Sequence, residues 1–309
     1  MPDLILHQYA NSPFSEKVRL VLGFKGMAWH SVIVPAILPK PDVVALTGGY
    51  RRAPFMQIGA DIYCDSALMC RVIDALQPEP PLYPAATSGL ADIVAQWADT
   101  ALFWTAVPYT TQPAGINHVL KGAAPDDLKA FGADRAAMNP NFRRPTLTDG
   151  AAALHTYLAR LEHLLADGQP FLLGALPCIA DFSAAQSVWF MHLAPPIAVL
   201  LAAYPKVEGW YQRVHAFGQG TFAKMTSAQA IEVAAGGAHA ALSFTPEPGL
   251  EQGDEVTVTP TDYAHDPVAG RLVGLGANEV VIERSDARAG TVHVHFPRIA
   301  FQIKKQTPA

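Results

Sequence analysis

A chain of 309 residues, half of them apolar, with a formal net charge of −5 and 16% charged side chains, can fill two or three packed cores but poorly suits nucleic acid or anionic lipid as a partner. Three cysteines (Cys64, Cys70, Cys178) with no CxxC pair fit a reducing compartment rather than a disulfide framework. No basic, apolar leader precedes Leu4 and no run of about 18 apolar residues occurs, so neither signal peptide nor membrane span is expected, and the cytoplasm is the expected compartment.

Leu4 to Tyr9 reads as a strand, and Ala10-Asn11-Ser12-Pro13 as a loop opening a helix, with Ser12 as N-cap and Pro13 at the first helical position. The helix runs to Gly26, and Trp29 to Val34 gives a second strand, parallel to the first because a helix crosses between them. Prolines 35, 39 and 41 stiffen a loop around Lys40, and a short helix ends at Gly48-Gly49. The stretch RRAPFMQIGADIYCDS, Arg51 to Ser66, organises the rest: strand Phe55 to Ile58, a turn at Gly59-Ala60-Asp61, strand Ile62 to Cys64, and a helix opened by Asp65-Ser66. Pro54 precedes a buried strand and is a candidate cis-proline, beside which the backbone of Ala53 can pair with an extended ligand. Asp65-Ser66 puts a carboxylate, a hydroxyl and unpaired N–H groups at one helix N-terminus, a match for the zwitterionic end of a peptide-like molecule.

QPEPPLYP, Gln77 to Pro84, is a linker, beyond which the pattern is helical to about Gln229. Ser88 to Tyr109 forms one long helix, Pro125 to Ala137 a polar one, Thr148 to Ala166 another, and Pro205 starts one through Tyr211 to Phe217. From Leu242 the period changes to two, and five short strands (256–258, 270–275, 280–283, 291–296 and 299–303) predict a small barrel of SH3-like or OB-like type. Its nine acidic and six basic residues disfavour nucleic acid. His293 and His295 share one face of the last hairpin, with Val292, Val294 and Phe296 on the other. The sequence places no third ligand beside them, so they read as surface histidines and no metal is expected.

Strand-helix-strand, then helix, strand, strand and helix, is the order of the thioredoxin fold. With SPFSEKVR after the first strand, RRAP before the third and DS after the fourth, residues 1–80 resemble the N-terminal domain of a cytosolic glutathione transferase, and the SPF start is similar to the tau and omega classes and related bacterial proteins. FLLGALPCIADFSAAQSVWF, residues 171–190, resembles the N-capping segment of that family's helical domain, with Asp181 capping its own helix and Cys178 where the family has Ser or Thr. The expected architecture is a thioredoxin-like domain (1–80), an all-helical domain (85–230) and, outside the usual transferase plan, the small β-barrel (242–309).

The resemblance implies reduced glutathione as co-substrate, no metal, a homodimer, and conjugation of the glutathione thiol to a small apolar electrophile, as in detoxification. It also leaves open glutathione-dependent isomerisation, reductive deglutathionylation, or a non-catalytic scaffold that kept the fold. Ser12 falls where tau-like members carry the serine that holds the thiolate. Read without the family it is an ordinary N-cap, and Ser15 or Tyr9 are alternatives, Ser15 being expected to bond its own backbone and Tyr9 to pack at the strand end. The family further implies Asp65 and Ser66 for the γ-glutamyl end, Ala53 with Pro54 for the cysteinyl backbone, and Arg52 or Lys40 for the glycyl carboxylate. The electrophile pocket is expected between the domains, lined by Tyr9, Phe14, Trp97, Phe103, Trp104 and Tyr109.

Overall fold

The computed structural model of the chain describes residues 3–306. β1 (Leu4–Gln8), α1 (Pro13–Phe24), β2 (Ala28–Ile33), α2 (Pro41–Thr47), β3 (Phe55–Ile58), β4 (Asp61–Cys64) and α3 (Ser66–Leu76) form the thioredoxin-like half. β1 pairs parallel with β2 and antiparallel with β3, and β3 pairs antiparallel with β4. Lys25, at the end of α1, is buried because its ammonium serves the linker: it meets Asp74 and the carbonyls of Gln77 (2.8 Å) and Pro80 (2.5 Å). Those contacts hold the crossing chain against the first domain.

The helical half contains α4 (Ser88–Trp97), α5 (Phe103–Thr110), α6 (Pro113–Val119), α7 (Pro125–Met138), α8 (Leu147–Leu164), α9 (Ile179–His192), α10 (Pro195–Ala198) and α11 (Pro205–His215). The long helix expected over Ser88–Tyr109 is continuous in path but carries a π-turn at Ala98–Leu102, between α4 and α5. Nearly every side chain of α9 is buried, polar ones included, because it is the central helix, packed against α1, α4 and α5. Asp181 anchors its start, accepting from the N–H groups of Cys178 (2.9 Å) and Leu172 (2.9 Å) and from Trp210 Nε1 (2.8 Å). The capping role expected of Asp181 thus extends to a clamp on the preceding loop and on α11. Cys178 contributes only a 3.5 Å Sγ contact to the same carboxylate.

Two elements after α11 escaped the sequence pattern. β5 (Thr221–Lys224) pairs parallel with the outer edge of β2, and α12 (Ser227–Ala235) packs on α2 and β9 (Gly290–Pro297). β5 is exposed at all four positions, so it shows no alternation of buried and solvated side chains. Gly23 admits the chain that leads into it, since a Cβ there would stand 2.1 Å from the carbonyl oxygen of Gly218.

The C-terminal region has the five expected strands, β6 (Glu255–Pro260), β7 (Val268–Leu275), β8 (Glu279–Asp286), β9 and β10 (Phe301–Lys305). Their order, β10-β6-β7-β8-β9, follows an SH3-like path, but the last member does not end the sheet. β9 pairs parallel with β4, placing Asp61 beside His293 and Tyr63 beside His295, and all ten strands make one sheet, β10-β6-β7-β8-β9-β4-β3-β1-β2-β5. This corrects the reading of His293 and His295 as surface residues: flanked by β8 and β4, they are 8% and 2% exposed. No single helix among the described residues is long and apolar enough to cross a membrane.

Candidate active site

A cavity of about 400 Å³ opens where the three parts of the chain meet, within the size range of small-molecule sites. One wall comes from the thioredoxin-like half, with Arg52, Ala53, Pro54, Asp65 and Ser66 brought side by side. The Ala53–Pro54 peptide bond is cis. Asp65 has φ 74°, a region that residues with a side chain rarely occupy, and its Oδ1 accepts from the Ala67 N–H at 2.9 Å at the start of α3. A non-glycine residue held this way in a cavity wall is a mark of a functional site.

The second wall is helical, with Phe14 of α1 and Trp104 of α5 facing the cleft and Phe14 packed on Phe103 at 4.5 Å. The third belongs to the C-terminal region: Tyr263, Asn278, Arg298 and Ile299 complete the cavity. Arg52 is the hinge-pin between walls. Its guanidinium pairs with both oxygens of Asp262, donates to the Tyr263 carbonyl and lies 3.8 Å over the Tyr263 ring.

The remaining residues singled out from the sequence are distributed more widely. Trp97 faces Tyr157 edge-on at 5.5 Å, away from the cavity. Tyr109 and Tyr9 also lie outside its lining, as does Lys40, whose ammonium donates to the Tyr9 hydroxyl and to the Arg51 carbonyl (3.0 Å). Burial, reinforced by Arg135 and Arg51, pushes the Lys40 ammonium down to about 8, and burial pushes the Tyr9 phenol up to about 12. Ser12 caps α1, its Oγ accepting from the Ser15 N–H at 3.2 Å. Among the described residues no acceptor takes the Ser12 proton, so the hydroxyl remains able to donate. Ser15 departs from expectation, because its hydroxyl is fully buried and has no partner rather than bonding its own backbone.

Sequence reasoning missed Lys17 and Asp99. Lys17 is buried in the same wall, 3.4 Å from Ser66 Oγ and 2.5 Å from Asp99 Oδ2, and Gln186 Nε2 donates to the other Asp99 oxygen at 2.7 Å. Burial alone would depress the Lys17 ammonium, but the Asp99 carboxylate together with Cys70 and Asp65 outweighs it and holds the ammonium above its usual range. The signal was present: Lys17 falls in the helical stripe Phe14, Val18, Val21, where a charge needs a partner. Asp99 sits in the π-turn, a distortion often found at functional sites.

Family models of the glutathione S-transferase N-terminal domain and C-terminal domain match residues 6–81 and 139–213. A GST-like protein from Pseudomonas syringae has a structure with a TM-score of 0.83 and 40% identity, over 99% of this chain and 100% of that one. The chain belongs to the glutathione transferase family. The match to the Pseudomonas syringae protein includes the C-terminal β-region, whereas the matches to two more distant structures cover 69% of this chain. A glutathione S-transferase from Rhodospirillum rubrum F11 matches at 20% identity over 69% of this chain and 88% of its own, with a TM-score of 0.54. The β-etherase LigF from Sphingobium sp. strain SYK-6 matches at 16% identity over 69% and 95%, with a TM-score of 0.52. These two share the transferase fold only. No curated protein matches the sequence.

Proposed function

We propose that this glutathione transferase binds reduced glutathione along the Ala53-Pro54 and Asp65-Ser66 wall and conjugates its thiol to a small apolar electrophile. The observation that carries the reading is the juxtaposition, in one cavity, of the strained Asp65 and Ser66 at the α3 N-terminus with Ala53-Pro54 and the apolar faces of Phe14 and Trp104. The Asp65 carboxylate meets the γ-glutamyl ammonium and Ser66 its carboxylate, while the Ala53 backbone pairs with the cysteinyl unit. Arg52 is the cation for the glycyl carboxylate and shares its charge with Asp262. The Ser12 hydroxyl, at the positive end of α1 and beside Phe14 of the lining though not itself part of it, donates a hydrogen bond to the sulfur, favouring thiolate over a thiol that is mostly protonated at neutral pH. The thiolate attacks the electrophilic carbon, a bond to carbon forms, and the leaving group departs with its electron pair. The family supports a homodimer, and the absence of a disulfide framework among Cys64, Cys70 and Cys178 supports a cytoplasmic setting.

Calorimetric titration with reduced glutathione tests the reading, beside Asp65→Asn, which removes the charge but tolerates positive φ. Micromolar to low-millimolar binding that weakens at least tenfold in the variant is the expected result. No binding to the wild type overturns it and favours a scaffold that retains the fold without turnover.

A further inference from the structure

The seam between β4 and β9 gathers a cluster that glutathione chemistry does not use. Asp61 Oδ1 lies 3.6 Å from His239 Nδ1, 3.6 Å from His293 Nδ1 and 3.2 Å from His295 Nε2. The donor atoms of Asp61, His239 and His293 all lie within 4.8 Å of one another. We propose that Asp61, His239 and His293 bind a divalent transition-metal ion of the zinc type, which staples the C-terminal β-region to the thioredoxin-like sheet.

Three features of the cluster carry the proposal. His293 Nδ1 is buried and has no hydrogen-bond partner, a defect that native structures rarely tolerate without a bound species to complete it. Two of the three spacings fit closely: tetrahedral zinc with bonds of 2.0–2.1 Å sets neighbouring donors about 3.4 Å apart, against the 3.6 Å found between Asp61 and each of two histidines. The outer partners are also those of a metal site. His293 turns its second nitrogen to Glu283 Oε2 at 3.5 Å, and the Ala240 N–H fixes the other Asp61 oxygen at 2.6 Å. Glu283 thereby orients the His293 ring and the Ala240 N–H orients the Asp61 carboxylate, as outer partners do behind metal ligands.

His295 plays the supporting part, held between Asp61 and Glu279 Oε2 (3.3 Å). His239 is the adjustable ligand. Its side chain is 30% exposed, stacked on the His293 ring at 3.8 Å, and carried on the segment after α12. Two imidazoles and a carboxylate suit zinc, nickel, cobalt or copper rather than calcium or magnesium. With three protein ligands, a water would complete a tetrahedron. The three ligands come from β4, from the segment that follows α12 and from β9, so the ion ties the two sheet halves and their connection at one point.

The test uses the full-length chain without a histidine tag, stripped with chelator and titrated with cobalt(II) and then zinc. One equivalent of cobalt with visible d–d absorption, displaced by zinc, is expected, together with a rise of a few degrees in Tm in excess zinc. His239→Ala removes an exposed ligand without opening the core, and is expected to weaken binding at least tenfold and abolish the Tm rise. Asp61→Asn should do the same. No stoichiometric binding by the wild type, or undiminished binding in a folded His239→Ala variant, overturns the proposal.

Discussion

Lys17 Nζ stands 2.5 Å from Asp99 Oδ2, which makes a buried ion pair the polar tie between α1 and the π-turn of the helical half. The same ammonium reaches Ser66 Oγ, so the tie ends at the wall proposed for glutathione. Removing one partner strands the other charge in the interior, at a cost of about 3–5 kcal/mol. Lys17→Met and Asp99→Leu are therefore each expected to destabilise by that amount in urea unfolding, and the double variant by less than the sum. Additive losses would show that the pair does not couple.

Cys178 occupies the N-cap of α9 with no side-chain hydrogen bond accepted from the helix, although Asp181 completes its half of the capping arrangement. Cys178→Ser substitutes a hydroxyl that can accept from a first-turn N–H. A gain of roughly 0.5–1 kcal/mol is expected, read as a higher urea midpoint at unchanged slope. A loss would mean that the buried site values the larger, less polar sulfur more than the cap.

The order of elements through Asp65-Ser66, and the strands of the C-terminal region, were legible because short-range signals determine them: Pro13 and Gly48 at helix ends, Pro54 before β3, alternation in β6 to β9. What was not legible depends on partners distant in sequence. Asp61 pairs across the sheet with His293, and neither neighbourhood announces the other. Arg52 read as a free cation because Asp262 lies 210 residues away. Tyr263 and Arg298 could not be assigned to the cavity until the β-region had a place. Of the aromatics expected in the pocket, Phe14 and Trp104 line it and Trp97 does not, since helical spacing alone does not tell which face of the α4–α5 rod meets the cleft.

The pairing of β9 with β4 makes the β-region part of the main sheet. Ending the chain after Gly236 would bare the edge of β4, remove Asp262 from Arg52 and uncover Tyr50, which packs on Phe296 at 6.0 Å. An unpaired edge beside exposed apolar surface promotes association between chains. The shortened protein is expected to aggregate or unfold at markedly lower urea, checked by light scattering and circular dichroism. A monodisperse, stable product would show that the β-region is an accessory.

His7 supplies a pH dependence. Its Nε2 lies 3.0 Å from Gln57 Oε1, and because Gln57 Nε2 donates to the carbonyls of Gly59 and Ala230, the imidazole Nε2 must be the donor. Burial lowers it from 6.5 to about 4. Between those values the unfolded chain binds the proton and the folded one does not, so stability from this group is full above about pH 6.5 and falls as pH drops toward 4. The loss is about 3 kcal/mol at 1.36 kcal/mol per unit. His7→Gln keeps a donor without the titration, and its unfolding free energy should fall less steeply than the wild type's across that window. Parallel curves would place the titration elsewhere.

The roles of Ser12, Ser15 and Tyr9 separate in a pH profile of conjugation. If the Ser12 hydroxyl stabilises the thiolate, Ser12→Ala returns the bound thiol toward its free value near 8.5, and the rate at pH 7 should fall roughly 10- to 50-fold while the deficit narrows above pH 9. The same change removes an N-cap and costs about 1 kcal/mol of stability, so Ser12→Thr serves as the control that keeps both cap and hydroxyl. Ser15→Ala deletes a buried hydroxyl without a partner, and should leave the rate unchanged and stability equal or slightly higher. Tyr9→Phe should also spare the acid limb, because the phenol is tied to Lys40 and held up to about 12 by burial. A Ser12→Ala enzyme with the wild-type profile would move the thiolate to another donor, and a displaced acid limb in Tyr9→Phe would identify the phenol as that donor.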